Sequence, residues 1–171
     1  MLTALSIRDV VLIEALDLEF GPGLGVLTGE TGAGKSILLD SLGLALGARA
    51  DSGLVRHGAA QASVTATFDP PAETARLLEA NGFEVEPGEP LIVRRIVKAD
   101  GGSRAFLNDQ PASAGLLREI GALLVEIHGQ HDERGLLAPA GHRSLLDAFG
   151  RIDTGATAAA WAARRGAEEA L

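Results

Sequence analysis

The chain has 171 residues, 46% of them apolar and 22% charged, with no cysteine and a net charge of −8. That length and apolar content suffice for a packed core, and the missing cysteines exclude disulfides and thiolate metal sites. The acidic surplus argues against a free-standing DNA-binding domain, whose affinity normally comes from a basic surface that neutralises phosphates.

The opening segment is broken by Arg8, Asp9, Glu14, Asp17 and Glu19, so no secretory signal is expected there. Leu5 and Ile7 alternate with polar neighbours, and Leu16, Leu18 and Phe20 alternate with Asp17 and Glu19, so two strands are expected here. Gly21-Pro22-Gly23 is a turn. Leu24 to Thr28 is almost wholly apolar and predicts a short, buried central strand.

Gly29-Glu30-Thr31-Gly32-Ala33-Gly34-Lys35-Ser36 follows, and it satisfies every fixed position of G-x-x-x-x-G-K-[ST]. Glycines let the backbone curl until successive N–H groups face phosphate oxygens. A helix starting near Gly34 adds its positive end. Lys35 can reach the β and γ phosphates, and the Ser36 hydroxyl can ligate Mg2+. A ligand-free glycine turn is the simpler alternative. An apolar strand before it and a helical pattern after it favour ATP with Mg2+.

From Lys35 onward, Ile37, Leu38, Ser41, Leu42 and Leu46 fall at helical spacing, ending near Gly47. Arg56 precedes what reads as an edge strand over residues 62 to 68, where Val64, Ala66 and Phe68 alternate with Ser63, Thr65 and Thr67. Asp69-Pro70-Pro71 opens a helix that stops at Asn81-Gly82. Residues 91 to 97 and 104 to 107 form a hairpin around Asp100-Gly101-Gly102, followed by a turn at Asn108-Asp109. Arg94, Arg95, Lys98 and Arg104 gather on this hairpin. They read either as gatekeeper charges on an edge or as a local DNA-facing patch. Ser113 can cap a helix whose apolar face is Leu116, Leu117, Ile120 and Leu123, and the run Leu123 to Ile127 can leave it as another buried strand.

Glu126 closes that run and is the one candidate for a magnesium-holding acid after a strand. His128 and His131 stand three apart without further ligands at a metal-site spacing, so no metal beyond Mg–ATP is expected. After Gly150 the chain turns alanine-rich and reads as the first turns of a helix cut short. No apolar run approaches the ~18 residues that span a bilayer, so a soluble, cytoplasmic chain is expected.

Four stretches resemble the SMC-like ATPases with ABC-type heads, and among them the bacterial DNA-repair branch, in the same order along the chain. They are LTALSIRDVVLIEALDLEF (2 to 20), GLGVLTGETGAGKSILLDSLGLALGARA (23 to 50), LIVRRIVKADGGSRAFLND (91 to 109) and LLVEIHGQHDE (123 to 133). The resemblance implies an α/β fold of phosphate-loop type. Residues 1 to 150 would be the N-terminal half of a head split by a long coiled coil, with an antiparallel β subdomain, and residues 151 to 171 would begin the stem. It further implies that Gln130 is the glutamine-loop residue, contacting magnesium and the attacking water, and that the region of Arg56 lies near the nucleotide. No Leu-Ser-Gly-Gly signature occurs in the chain, so the active site would be a shared one. Its partners would be the C-terminal half of the same head, a second head engaged through ATP, and DNA, reached through the full-length protein. The alternatives are a self-contained phosphate-loop kinase using Glu126, or a module that binds ATP for assembly without hydrolysing it.

Overall fold

In a computed structural model the described residues are 1–28, 34–83, 88–127, 142–143, 146–147, 149–150 and 152–169. The chain divides into two units, Met1–Ile127 and His128–Leu171. The first unit is built on six strands: β1 (Leu2–Val10), β2 (Ile13–Glu19), β3 (Gln61–Phe68), β4 (Leu91–Lys98), β5 (Ser103–Leu107) and β6 (Gln110–Ala112). They lie in the order β2-β1-β3-β4-β5-β6, and every neighbouring pair is antiparallel.

Period-two alternation fixes which face is inside. Leu5 and Ile7 of β1, Val64, Ala66 and Phe68 of β3, Leu91, Val93 and Val97 of β4, and Ala105 and Leu107 of β5 are all buried. The register puts Ile7 opposite both Leu16 and Val64, so one apolar row crosses three strands. The opposite face carries Ser6, Ser63, Thr65, Thr67, Arg94 and Phe106. β3 is thus a central strand between β1 and β4, not the edge strand expected from its sequence. Small hydroxyl side chains on its outer face imitate an edge pattern while its backbone is paired on both sides.

Among the described residues three α-helices, and a short 3-10 turn at Ser52–Leu54, complete this unit: α1 (Lys35–Ala45), α2 (Ala72–Ala80) and α3 (Ala114–Leu124). α1 packs over β1, β3 and β4, burying Ser41, Leu42, Leu44 and Ala45. α3 buries Leu116, Leu117 and Ile120, starts on Ser113, whose Oγ accepts the Leu116 N–H at 3.0 Å, and packs against α2 and β5. Both starts follow the expected chemistry, Ser113 as an N-cap and Pro71 ahead of α2. Leu123 is the exception on α3, at 40% exposed.

Within the second unit the described helix is α4 (Gly155–Glu169). The Arg164 guanidinium sits 5.5 Å from the Trp161 ring centroid and pairs with Glu168 one turn on, at 2.8 Å. Among the described residues no helix is long and apolar enough to cross a membrane.

Candidate nucleotide-binding site

The phosphate-loop pattern ends where α1 begins, and that junction is described from Gly34 onward. Gly34 is the N-cap residue, in the left-handed region at φ 94°. A Cβ there would meet nothing within 4 Å, so glycine is required for conformation and not for space. The Leu38 N–H donates to the Gly34 carbonyl at 3.0 Å, closing the first helical bond. No side chain caps the helix start and no acidic residue occupies its first turn. An anion therefore suits this end, where the first N–H groups lack intrahelical partners and the dipole is positive. Lys35 is half-buried and Ser36 exposed in that same turn.

These donors fit Mg–ATP. A hydroxyl is a hard-oxygen ligand, the lysine a cation for phosphate oxygens, and magnesium in such sites takes most of its shell from phosphates and water. Among the described residues no group of three His, Asp or Glu forms a cage for a dedicated metal. Gly29, Glu30, Thr31, Gly32 and Ala33 lie outside the described residues, as do Gln130, His128 and His131.

Two expectations beside the loop are corrected. Residues 24 to 28 do not form a buried strand: Leu24 is 97% exposed, Val26 76% and Leu27 52%. An apolar run is buried only when strands flank it, and every described strand is already ordered in a sheet that leaves this run unpaired. The run Leu123 to Ile127 is not a strand either. α3 continues to Leu124, and Val125 turns extended (φ −149°, ψ 141°) without a strand partner among the described residues. Glu126 is exposed there, with no buried strand leading to it. That removes the structural basis for reading it as a magnesium-holding acid.

Arg56 is held by the end of β1. Its backbone N–H donates to the Asp9 carbonyl at 2.8 Å, its Nε to Asp9 Oδ1 at 2.8 Å, and Glu14 Oε2 lies 3.7 Å from Nη2. The hydrogen bond to Asp9 is the main cause holding Arg56 above the ordinary arginine pKa. Asp9 and Val11 both have positive φ, 52° and 50°, a costly conformation for a β-branched residue. Arg56 and the Val10–Val55 bridge thus pin a strained hairpin end.

The four cations of the β4–β5 hairpin do not form one patch. Arg94, Lys98 and Arg104 share the outer face, whereas Arg95 faces the core and is 5% exposed. β4 is also an interior strand, so gatekeeping of an edge does not explain its charges. Arg94 is engaged by Asp109 at 2.7 Å and lies 5.0 Å from the Phe106 ring centroid. Sequence reading missed the inward placement of Arg95, although Leu91, Val93 and Val97 share its parity and signalled it.

With this geometry in hand, the AAA domain family profile matches residues 4–106. Among curated relatives, the DNA repair protein RecN of Xylella fastidiosa strain Temecula1 is 43% identical over 154 residues, covering 90% of this chain and 28% of the relative. RecN of Vibrio cholerae serotype O1 is 42% identical over 87% of this chain and 27% of the relative. RecN of Halalkalibacterium halodurans is 44% identical over 87% and 26%. The chain thus spans little more than a quarter of the length of these relatives.

Among solved structures, a chain from work on ATP-driven dimerization and DNA-stimulated activation of SMC ATPases superimposes with a TM-score of 0.62 at 24% identity, covering 85% of this chain and 97% of that one. The recombination mediator RecF bound to ATP follows at a TM-score of 0.53 and 18% identity, covering 68% and 29%. These likenesses establish the fold, an α/β one shared with those chains, in which the described strands form an antiparallel sheet with helices packed on it.

Proposed function

The chain belongs to the AAA domain family, and on that footing we propose that it is the ATP-binding part of an SMC-like ATPase head acting in recombinational repair of DNA double-strand breaks. The observation that carries this reading is the loop-to-helix junction, where left-handed Gly34, uncapped α1, Lys35 and Ser36 come together. In the reading proposed, the chain's backbone N–H groups cradle the phosphates, Lys35 binds the β and γ phosphates, and Ser36 and Gln130 hold Mg2+. Gln130 also orients the attacking water. When bound, magnesium neutralises the charge that develops on the transferred phosphoryl group.

The exposed Leu24, Val26 and Leu27, together with Leu39 at 46% exposed, support a shared site. Apolar residues at central-strand spacing with no neighbours suit a second half-head that supplies flanking strands. In this reading two heads sandwich two ATP molecules, each phosphate loop completed by a signature motif from the opposite head, and hydrolysis releases the pair. ATP that binds only the engaged state shifts the equilibrium toward it. Residues 1 to 150 would be the half-head, and α4 the start of its coiled-coil stem. Arg56 would then act on the nucleotide indirectly, by fixing the β1 end. The protein would work in the cytoplasm, at the nucleoid.

Ser36→Ala tests the magnesium assignment. Nucleotide titrations are expected to show that wild type binds ATP more tightly with Mg2+ than with EDTA, and that the variant loses most of that difference while still binding ATP. An unchanged magnesium dependence contradicts the role of Ser36.

DNA would be met weakly and locally by Arg94, Lys98 and Arg104 on the outer face. In the assembled protein, Lys98→Ala and Arg104→Ala are each expected to weaken binding evenly across DNA sequences. Each should reduce the slope of log affinity against log salt by about one. Unchanged slopes remove the patch from the account.

A further inference from the structure

Arg95 is a buried cation that no carboxylate pairs with among the described residues. It is 5% exposed, its Nη2 donates to Ser103 Oγ at 3.0 Å, and its buried Nε has no partner. Arginine does not escape burial by losing its proton, so such a charge calls for an anion. Burial first, and then the Arg118 charge, hold Arg95 below the ordinary arginine value. Arg118 is oriented from α3, its Nη2 3.4 Å from the Gly47 carbonyl. Among the described residues no carboxylate forms an ion pair with either side chain.

Arg95 lines a groove of about 510 Å³ with Ser103, Arg104, Pro111, Ala112 and Ala114. Ala114 is the first residue of α3, whose first turn holds no acid, so a positive helix end borders the groove. β6 pairs with β5 only from Ala105 to Leu107, which leaves the edge of Ser103 and Arg104 open on this side.

We propose that Arg95 and the Ser103 hydroxyl form an oxyanion site in this groove, separate from the phosphate loop, that takes a phosphoryl group. A guanidinium presents its donors in a planar fork that matches such a group, and the hydroxyl can turn to donate as well. The phosphoryl group comes either from free phosphate or from a nucleic-acid backbone.

The test uses the chain in a Lys35→Ala background, so that the phosphate loop does not answer for the groove. Inorganic phosphate is titrated at constant ionic strength, with chloride as the control for general salting effects. Phosphorus-31 line broadening and the unfolding midpoint are read together. Saturable binding with a raised midpoint is expected, weakened about tenfold or more by Arg95→Met. Arg95→Met is also expected to unfold no more easily than its parent in chloride, because it removes an uncompensated buried charge. If Arg95→Met does not fold, Ser103→Ala carries the same comparison.

Competition by a short single-stranded oligonucleotide assigns the phosphoryl group to a nucleic-acid backbone, and phosphate binding without competition assigns it to free phosphate. No saturable response, or one that survives both Arg95→Met and Ser103→Ala, overturns the proposal. Neither outcome bears on Lys35 or the phosphate loop.

Discussion

Lys35→Ala is expected to weaken ATP binding by one and a half to three and a half orders of magnitude, roughly 30- to 3,000-fold. The lysine stands in the first turn of α1, directly after the left-handed Gly34, at the positive end of a helix with no side-chain cap. Truncating one partner of a hydrogen-bonded charge pair costs about 2–5 kcal/mol, part of it from leaving the other charge unpaired. At about 1.4 kcal/mol per tenfold, that is a loss of roughly 30- to 3,000-fold in affinity. Isothermal titration of ATP–Mg2+ into wild type and variant measures it. Lys35→Arg is not expected to rescue binding fully, because a planar fork does not replace a compact ammonium. A Lys35→Ala chain that binds ATP as wild type does would show that the nucleotide sits elsewhere.

Gly47→Ala is expected to be the most destabilising methyl group that can be added near the site. Gly47 follows α1 with φ +90°, and a Cβ there would lie 2.5 Å from the Ala114 carbonyl oxygen and 2.8 Å from the Arg118 nitrogen. Both are backbone atoms, so no rotamer change relieves the contact. The left-handed conformation costs an L-residue about 1–2 kcal/mol, and forced overpacking typically adds about 1–3 kcal/mol. A total loss of roughly 2–5 kcal/mol should appear in urea melts.

Gly82→Ala is the matched control. It has φ +81° but nothing within 4 Å of the added Cβ, so only the backbone cost of about 1–2 kcal/mol applies. Equal losses at the two glycines would mean that α1 and α3 do not approach as closely as described. Because Gly47 seats the end of α1 on the start of α3, its substitution should also lower nucleotide affinity through the position of Lys35.

Much of the fold was legible from period and punctuation. The alternation in 62 to 68 identified β3 and its inward face, Pro71 and Asn81 bracketed α2, and Ser113 marked the start of α3. What failed did so where burial depends on groups far along the chain. Leu24 to Thr28 has the composition of a central strand, but composition cannot supply the neighbours that make a strand central. Leu123 to Ile127 was ambiguous between helix and strand because short apolar runs carry both periods, and packing of Leu116, Leu117 and Ile120 extended the helix to Leu124. The arginines at 94 and 95 read as one cluster because adjacency is visible in sequence, while the strand's two faces must be counted out. The start of α1 was legible because the helical spacing begins at Lys35, and the helix does begin there, directly after a left-handed Gly34.

The central claim is that this chain carries one wall of a shared ATP site, and steady-state ATP turnover tests it most directly. The chain alone should bind ATP–Mg2+ but turn it over negligibly. Turnover should appear when the complementary C-terminal half of a RecN-like head is added, and should vanish again with Lys35→Ala. Binding without turnover even in the presence of that half would favour a non-hydrolysing assembly module. Robust hydrolysis by the chain alone, lost on Glu126→Gln, would contradict the shared site and restore the self-contained enzyme.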